Sequence, residues 1–531
     1  FQKLEFVRLI DKYGLRGAGV PVSATPKTKA NHLPRVNRVA DSMDCYALAF
    51  APDGSLGVAW KNGVCVLTPM ELAMEGQFFP ESASLVLHDA KTSMHQLDAL
   101  GLKWGCICFD TALAAYDLNP SQSDYPVSKL STNFLGTSVE DGDAAQCAEA
   151  IWFLAPVLED ALEKDGMTPL YQQIELPLCT VLYRMEKRGI AIDRKQLVQF
   201  GSMLSERIAD CESLIYGYAD GPFNVNSTRQ LGQLLFEKLA LPPVKKTKTG
   251  YSTNADVLEK LKDKHPIIPA IMDYRMLTKL KSTYADGLLQ EIREDGRIHT
   301  TFQNLVTATG RLSSTDPNLQ NIPVRTDLGA EIRKMFVPRD GCVLVDADYS
   351  QIELRVLAHI ADDKAMQEAF CSGADIHTAT AAQVFGVPAD QVTPLQRRHA
   401  KAVNFGIVYG ISEYSLAEDI GVNYHEARAY IDSYLANYHG VREYMKRVVE
   451  NAREIGYTTT LYGRRRYIPE LKSTNYNVRQ GAERIALNTP IQGTAADLIK
   501  LAMVRVENAL RESFPDAKLL LQVHDELIVE C

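Results

Sequence analysis

Residues 343–360 read VLVDADYSQIELRVLAHI, and along this stretch the pattern of a strand gives way to that of a helix. The apolar run before Asp348 is typical of a buried strand, and the apolar spacing after Ile352 is typical of a helix. Asp348 therefore marks the end of the predicted strand. Asp346 would face the same side if the strand continues, as a further metal ligand. We favour a bend there, with Asp346 in a structural hydrogen bond.

A second apolar stretch, LLLQVHDELIVE at residues 519–530, carries Asp525 and Glu526 in its middle. Charged groups inside an apolar strand are costly unless they are paired or bind a metal. One interpretation is that Asp348 and Asp525 share two Mg²⁺ ions about 3.5–4 Å apart, as in-line phosphoryl transfer requires. Mg²⁺ needs few carboxylates when substrate phosphates complete its shell. The alternative is a β-turn or a buried salt bridge.

Residues 397–410, RRHAKAVNFGIVYG, place two cations and two aromatics at four-residue intervals. On a helix, Arg397, Lys401, Phe405 and Tyr409 would form one slowly winding stripe. Cations at one end suit a polyphosphate, and aromatic faces at the other suit a base or sugar. The alternative is an amphipathic helix with a solvated basic turn and two core aromatics.

Length and composition indicate an ordinary multidomain protein. A chain of 531 residues exceeds a single core, so about two to four domains are expected. No apolar run approaches the roughly 18 residues of a membrane span, and the first residues do not resemble a signal peptide. The ten cysteines are scattered without zinc-site spacing. We interpret them as reduced, intracellular thiols that mostly serve packing.

The net charge of −9, taken over the whole chain, argues against nucleic-acid binding. The distribution of charge argues differently, because basic residues gather in four clusters of the C-terminal two thirds. An acidic body with local basic tracks is compatible with a phosphate-binding groove, whereas each cluster alone is typical of a solvated surface. The clusters are Lys245, Lys246 and Lys248; Lys279 and Lys281; Arg397, Arg398 and Lys401; and Arg464, Arg465 and Arg466.

The chain pattern changes along its length. Residues 1–20 predict a short amphipathic helix and residues 21–36 a proline-containing linker. From Val36 to about Leu162 the pattern is α/β, with a hairpin signal at Asp53-Gly54. From about Gly166 the pattern is more helical, and residues 360–480 are predicted to be mostly helical. Long helices joined at a basic tip between about 200 and 295 suit a projecting subdomain that grips a duplex backbone.

Three of these motifs resemble the signatures of one enzyme family. DYSQIELR at 348–355, RRHAKAVNFGIVYG at 397–410 and VHDE at 523–526 are similar, in order and spacing, to the three signatures of the family A DNA polymerases. TATGRLSSTDPNLQNIPVR at 307–325 and NTPIQGTAADLIKLAM at 488–503 resemble further stretches of bacterial members. The resemblance covers roughly residues 166–531.

The resemblance implies an α+β multidomain fold. Residues 166–531 would form a right-hand polymerase, with a thumb at about 200–295, fingers at about 361–480 and a palm from the remainder. An α/β ribonuclease H-like domain of the 3′–5′ exonuclease type, residues 37–165, would precede it. Residues 1–36 would be the remnant of a 5′ nuclease region with its linker. The chain stops five residues after Glu526, so we expect a truncated C-terminal end.

The resemblance also implies the metal and nucleotide ligands. Asp348 and Asp525, with the carbonyl of Tyr349, would hold two Mg²⁺ ions, for which Mn²⁺ can substitute, and Glu526 would support the site. Lys401 would bind triphosphate and protonate the pyrophosphate leaving group. The implied nucleotide-binding residues are Arg397 and Lys401 at the triphosphate, Phe405 at the sugar and base, Tyr409 at the template side, His377 at phosphate, Glu353 as a steric gate against the ribose 2′-OH, and Gln351.

The implied DNA-binding residues read no sequence. Arg311 and Gln492 resemble minor-groove readers, which test acceptors common to all correct pairs. Phe405, where some relatives carry Tyr, implies discrimination against sugars lacking a 3′-OH. Lysines of the predicted thumb, at positions 245, 246, 248, 279 and 281, would contact duplex phosphates without sequence preference. The remaining members of the predicted DNA-binding set are His524 near the primer end, Asn318, Gln320, Lys279 and Lys281.

The front region resembles the proofreading domain in outline, through LHDAKTSMHQL at 87–97 and FDTALAAYDLNP at 109–120. An active domain needs an Asp-x-Glu pair on its first strand, and residues 1–165 contain none. Ser93 stands where another Asp is expected, the last metal Asp is absent, which leaves Glu149 or Ala150 at its place, and only Asp110 is retained. We therefore expect a degenerate domain, unless unaligned acids such as Asp41, Asp44 and Asp89 rebuild a site.

The implied function is template-directed addition of dNTPs to a primer 3′-OH by two-metal phosphoryl transfer, in repair and replication gap filling, without proofreading. The implied partners are primer-template DNA and dNTPs, without a membrane, and the implied state is a monomer. The resemblance also implies a cytoplasmic, nucleoid-associated protein of a bacterium. Three alternatives remain open. They are a non-catalytic DNA-binding protein, a metal-dependent nuclease using the front domain, and a polymerase that copies RNA or adds ribonucleotides, against which Glu353 argues.

Overall fold

A computed structural model describes residues 32–40, 43–247, 250–323 and 326–531. The predicted helix at 1–20, most of the linker, Asp41 and Lys248 lie outside the described residues. The chain divides into two compact units. The first contains the described residues up to Arg184 together with Gln303–Ser313 and Asp348–Pro515. The second contains Met185–Phe302, Ser314–Ala347 and Asp516–Cys531.

The strands of the described residues are, in chain order, β1 Cys45–Phe50, β2 Leu56–Trp60, β3 Gly63–Leu67, β4 Ser84–Leu87, β5 Cys106–Asp110, β6 Ile190–Ala191, β7 Lys246–Thr247, β8 Gly250–Tyr251, β9 Arg297–Ile298, β10 Thr301–Gln303, β11 Ser313–Thr315, β12 Leu344–Asp348, β13 Tyr457–Thr459, β14 Arg465–Tyr467, β15 Lys518–Val523 and β16 Glu526–Glu530.

The α-helices are Pro69–Glu75, Ala90–Ala99, Thr111–Leu118, Val127–Leu130, Ala144–Lys164, Thr168–Leu170, Leu176–Arg188, Arg194–Ala219, Thr228–Gln233, Ala255–Leu261, Ile267–Leu280, Gly287–Glu291, Asp327–Lys334, Ile352–Ile360, Lys364–Cys371, Ile376–Phe385, Pro394–Val408, Glu413–Ile420, Tyr424–Asn437, His439–Ile455 and Tyr476–Ser513. Wider π-helical turns occupy Ser131–Leu135, Tyr171–Glu175, Leu234–Lys238 and Lys281–Asp286, and tighter 3₁₀ turns occupy Ala389–Gln391 and Pro469–Lys472.

The front of the first unit is a five-stranded mixed sheet in the order β3-β2-β1-β4-β5. β1, β2 and β3 are antiparallel, and β4 is parallel to both β1 and β5. The hairpin signal at Asp53-Gly54 is confirmed, because Phe50 pairs with Leu56 across it. Helix Ala144–Lys164 packs on β1 and β2 through buried residues such as Ile151 and Leu158. The predicted α/β alternation of this region is therefore present.

The remainder of the first unit is mostly helical, as predicted for residues 360–480, with the antiparallel pair β13–β14 as an exception within that range. Helix Ile352–Ile360 contacts both Pro394–Val408 and Tyr476–Ser513, and the last two also touch each other. Helix Tyr476–Ser513 has 38 residues and continues through Pro490. These three helices carry most of the residues that the sequence assigns to the nucleotide.

The second unit contains long helices and a three-stranded sheet in the order β12-β16-β15. Helices Arg194–Ala219 and Ile267–Leu280 pack against each other. The strand predicted before Asp348 is present as β12, but the prediction that it is buried was wrong, because residues 345–348 are exposed. The single strand expected at the C-terminal end is instead the hairpin β15–β16, in which Val523 pairs with Glu526. The reason is local, because His524 adopts a left-handed conformation with φ 53°.

Candidate active site

Glu353 lies in the first turn of helix Ile352–Ile360 and is only 5% exposed. Its carboxylate forms an ion pair with Arg311 and accepts a 2.9 Å hydrogen bond from the hydroxyl of Tyr409. Burial, followed by the neighbouring Glu353 carboxylate, raises the pKa of Tyr409 to about 12. The three residues, which the sequence assigned to separate tasks, form one connected group.

The passage from β12 into helix Ile352–Ile360 is strained. Gln351 begins the helix with φ 54°, a conformation that non-glycine residues rarely adopt. Arg355 Nε donates a 2.9 Å hydrogen bond to the carbonyl of Ser350, which closes this corner. Asp348 and Tyr349 are both exposed beside it. The bend expected at Asp346 was wrong, because β12 continues through Asp348, and Asp346 is exposed.

Helix Pro394–Val408 starts with a capping box between Thr393 and Gln396, which satisfies free backbone N–H groups of its first turn. Arg397 and Lys401 are exposed one turn apart. Lys401 Nζ lies 6.0 Å from the ring centroid of Phe405, within the range of a cation–π contact. Tyr409 follows the last helical residue as the C-cap. The predicted stripe is therefore helical through Phe405 and ends on a capping residue.

Arg397 is held by a carboxylate that the sequence analysis did not single out. Its Nε and Nη2 donate to the two oxygens of Asp375 at 2.7 and 3.1 Å. Asp375 also caps helix Ile376–Phe385 by accepting a 3.0 Å hydrogen bond from Thr378 N. The hydrogen bonds from Arg397 lower the pKa of Asp375. An Asp directly before an apolar helical run is the signal that could have identified it.

His377 is buried, at 3% exposure, beside Phe405. Asn404 Nδ2 donates a 3.1 Å hydrogen bond to its Nδ1, and its ring centroid lies 5.8 Å from that of Phe405. Burial lowers the pKa of His377 and favours the neutral imidazole. In this structure His377 supports the face that carries Phe405, and the phosphate contact expected from the sequence stays a prediction.

A cavity of about 410 Å³ opens along the last turn of helix Pro394–Val408. Phe405, Tyr409 and Arg484 contribute to its lining. Gly410, at φ 64°, faces Arg484 closely enough that a methyl group there would lie 3.1 Å from the Arg484 side chain. Gln492 is half-buried two turns along the same helix as Arg484. Polar and aromatic groups thus line a recess of the first unit.

In the second unit, Asp525 occupies the two-residue turn between β15 and β16 and is half-exposed. The backbone at Asp525 therefore forms the β-turn that the sequence analysis gave as an alternative to a continuous strand with a metal site. Glu526 lies 4.0 Å from Arg333. Gln320 Nε2 donates a 2.9 Å hydrogen bond to Gln522 Oε1, one residue before the end of β15. His524 is exposed.

The other predicted DNA-binding residues of the second unit lie at its surface. Asn318 is exposed and accepts a 3.0 Å hydrogen bond from Gln320 N. Lys279 is exposed, whereas Lys281 is half-buried and lies 2.6 Å from Asp286. Lys281 is therefore already neutralised in part by a carboxylate.

The prediction that Arg464, Arg465 and Arg466 belong to a basic surface track was wrong for Arg464. Its side chain is 1% exposed and pairs with Asp117, Glu175 and Asp497, all fully buried. Arg465 pairs with Asp165 at 2.9 Å, and Arg466 donates to Thr489 at 3.2 Å. The physical reason is that buried carboxylates require cations inside the protein, and sequence proximity alone does not reveal them.

The front-domain residues occupy structural positions. β1 contains no carboxylate, and the buried Ser93 donates to the carbonyl of His88. Asp110 is 1% exposed and accepts hydrogen bonds from the backbone N–H groups of Asp89, Ala90, Ala112 and Leu113. The carboxylate of Glu149 accepts from Leu33 N. Asp41 lies outside the described residues.

Across the residues that the structure describes, no three His, Cys, Asp or Glu side chains gather in a metal-binding arrangement. In the same residues, no helix combines the length and apolar character that crossing a bilayer requires.

The sequence matches DNA polymerase family A over residues 194–531. It is 49% identical over 474 residues to DNA polymerase I of Caldicellulosiruptor bescii, and the aligned region covers 88% of this chain and 56% of that protein. It is 44% identical over 540 residues to DNA polymerase I of Mycobacterium bovis, covering 97% of this chain and 58% of the relative. The chain thus spans little more than half the length of these relatives.

A solved structure shares the fold. The POL domain of Pol1 from M. smegmatis, in complex with DNA primer-template and dNTP, superposes with a TM-score of 0.84. The two chains are 40% identical, and the match covers 91% of this chain and 88% of the other.

Proposed function

Because this chain belongs to DNA polymerase family A, we propose that it is a template-directed DNA polymerase that adds dNTPs to a primer 3′-OH. The observation that carries the proposal is its similarity, at a TM-score of 0.84, to a polymerase domain solved with primer-template and dNTP. The expected setting is repair and replication gap filling, with the protein acting as a monomer. The cytoplasmic location stays a prediction.

Family A DNA polymerases use divalent metal ions. For this chain we propose two Mg²⁺ ions, replaceable by Mn²⁺, held by Asp348, Asp525 and the carbonyl of Tyr349. The oxygen atoms of these residues are suitable ligands, because Mg²⁺ prefers oxygen. Asp348, Tyr349 and Asp525 are also at least partly exposed. When bound, the ions stabilise the attacking and leaving oxygens of an in-line displacement. Glu526, which follows Asp525 directly, supports this site.

The residues of helix Pro394–Val408 bind and orient the incoming nucleotide. Arg397 and Lys401 are exposed on one face and provide positive charge for a triphosphate. Lys401 Nζ is also the proton donor for the leaving pyrophosphate. Phe405 stacks by the sugar and base, Tyr409 closes the template side, and His377 contacts phosphate. Orientation and electrostatic stabilisation account for most of the catalysis that phosphoryl transfer needs from a protein.

Glu353 selects deoxyribonucleotides over ribonucleotides. Its carboxylate is held by Arg311 and Tyr409, so it cannot easily swing away from a 2′-OH. We assign dNTP selection to this fixed position, with Gln351 at the corner that precedes it. Arg311 and Gln492 read the minor groove. The remaining DNA contacts of the proposal are Asn318, Gln320, His524, Lys279 and Lys281.

The front domain is proposed to be an exonuclease-type domain without proofreading. Its mixed sheet, with three antiparallel strands followed by two parallel strands, supports a ribonuclease H-like fold. The retained Asp110 is engaged by four backbone N–H groups, and β1 carries no acid. One engaged carboxylate is a poor basis for two-metal hydrolysis.

Primer extension on a labelled hairpin with Mg²⁺ tests the proposal. The wild type should lengthen the primer only when dNTPs are present. Asp348→Ala and Asp525→Ala should each abolish extension while DNA binding persists, and Asp340→Ala, which removes an exposed acid, should extend normally. DNA binding without extension by the wild type would instead favour the non-catalytic alternative. Extension by either active-site variant would refute the metal-ligand assignment.

A further inference from the structure

The segment Thr307–Arg311 connects the front domain with the gate residue Glu353. Thr307 Oγ1 donates a 2.6 Å hydrogen bond to the carbonyl of Arg311, and Gly310 N donates to the carbonyl of Thr307 at 3.3 Å. These bonds fold the segment into a compact loop. The side chain of Arg311 then reaches the carboxylate of Glu353. A shift of the loop would therefore move one of the two partners that hold Glu353.

Helix Thr111–Leu118 of the front domain is hydrogen-bonded to this loop. Tyr116 is completely buried, and its hydroxyl donates a 2.8 Å hydrogen bond to the carbonyl of Thr307. Burial raises the pKa of Tyr116 well above its ordinary value, so the hydroxyl keeps its proton and stays a donor. The Tyr116 ring also lies 6.0 Å from the guanidinium carbon of Arg464.

The side chain of Arg464 packs against the loop at Gly310. Gly310 has φ 81°, and a methyl group at that position would overlap the Arg464 guanidinium. Arg464 is itself held by Asp497, through bonds of 2.9 and 2.7 Å, and by Asp117, the residue after Tyr116, at 3.3 Å. Two consecutive residues of a front-domain helix thus act on the loop, one directly and one through Arg464.

We propose that Tyr116 is a positioning residue for the nucleotide site, and that the front domain serves synthesis by holding the Thr307–Arg311 loop against Glu353. The hydroxyl of Tyr116 sets the position of the Thr307 carbonyl, the loop sets Arg311, and Arg311 with Tyr409 sets the gate carboxylate. This inference rests on the proposed polymerase function. It assigns a task to a domain whose carboxylates no longer suit hydrolysis.

Tyr125 provides a matched control in the same domain. Its hydroxyl also donates a 2.8 Å hydrogen bond to a backbone carbonyl, that of Asn119, and its side chain is buried. Its ring meets the Tyr116 ring edge-on at 6.0 Å. Tyr116→Phe and Tyr125→Phe therefore remove chemically equivalent hydrogen bonds from one cluster, and only the first bond reaches the loop.

The test measures single-nucleotide incorporation of a dNTP and of the matching rNTP by the full chain. Tyr116→Phe should lower the ratio of dNTP to rNTP kcat/KM by about fivefold, the size expected from one lost neutral hydrogen bond. Tyr125→Phe should leave the ratio unchanged. Both variants should show a similar small fall in Tm, which separates gate position from general stability.

A double-variant cycle shows the route of the effect. In an Arg311→Ala background the Tyr116→Phe change should no longer alter the ratio, because its link to Glu353 is already cut. An equal response of Tyr116→Phe and Tyr125→Phe, or a persisting effect without Arg311, would overturn the inference. Those results would not contradict the proposed polymerase function, provided that the wild type extends primers. Failure of the wild type to extend would overturn both.

Discussion

The hydroxyl of Tyr409 lies 2.9 Å from Oε2 of Glu353. This hydrogen bond joins the residue that ends helix Pro394–Val408 to the first turn of helix Ile352–Ile360. Because Arg311 binds the other carboxylate oxygen, Glu353 is held from two directions. Any motion of helix Pro394–Val408 during nucleotide binding would therefore be transmitted to the group proposed to select the sugar.

Glu353→Ala should weaken sugar selection. Removing the carboxylate opens space for a 2′-OH, so the ratio of dNTP to rNTP incorporation should fall by about tenfold or more, equivalent to about 1.4 kcal/mol. Single-nucleotide incorporation kinetics measure this ratio. Glu368→Ala, which removes an exposed carboxylate from a neighbouring helix, is the control. An unchanged ratio in Glu353→Ala would remove the gate assignment.

Phe405→Tyr should relax discrimination against nucleotides lacking a 3′-OH. A tyrosine hydroxyl at the sugar can supply a polar contact that the missing 3′-OH would otherwise make, so ddNTP incorporation should rise by about tenfold. Chain termination in competition with dNTP measures it. Phe385→Tyr adds the same hydroxyl to another half-buried ring and should not change termination. Equal termination by all three proteins would contradict the stacking role.

Asp375→Asn should reveal the value of the Arg397 ion pair, because Asn keeps the helix cap. At neutral pH the loss should be about 0.5–1 kcal/mol, since both side chains are partly exposed. The pKa of Asp375 is lowered in the folded protein, so this stability is present above the ordinary carboxyl pKa, near 4, and is lost as pH falls through the lower folded pKa.

Urea unfolding of the wild type and of Asp375→Asn across pH measures this contribution. The two curves should differ at pH 7 and converge in acid. Asp432→Asn, at an exposed pair with Arg428, should follow the wild type closely. The KM for dNTP should rise in Asp375→Asn, because Arg397 loses the group that orients it. A pH-independent difference would show that the ion pair is not its cause.

Arg464→Ala should be strongly destabilising. Removing one partner of a buried ion pair leaves uncompensated carboxylates and typically costs about 3–5 kcal/mol. Among the contacts described, Lys500, which pairs with Glu175, would be the remaining cation beside Asp117, Glu175 and Asp497. Urea unfolding measures the loss, with Arg398→Ala as the exposed arginine control. A small loss would mean that the carboxylates are protonated in the native protein.

A 3′-labelled primer with a terminal mismatch should not be shortened by this protein in Mg²⁺. Asp110 is buried and bonded to four backbone N–H groups, which leaves it unsuited to bind metal. Gel analysis of the primer over time measures shortening. Shortening that disappears in Asp110→Asn would show that the front domain retains hydrolysis. Shortening that survives this change would point to acids elsewhere.

Much of the fold followed from local pattern. The strand ending at Asp348, the hairpin at Asp53-Gly54 and the largely helical region 360–480 were all predicted, because alternation, turn residues and helical spacing are short-range properties. The same locality explains a failure. His524 adopts a left-handed backbone that its residue type does not announce, so one predicted strand is a hairpin.

The amino-acid sequence by itself determined the family and the identity of the chemical groups, since motif letters and their order carry that information without coordinates. Only the tertiary structure decided which groups touch. It paired Arg397 with Asp375, joined Arg311 and Tyr409 through Glu353, and buried Arg464 among carboxylates. Such contacts link residues far apart in the chain, and burial then sets their charge and orientation, which no local pattern records.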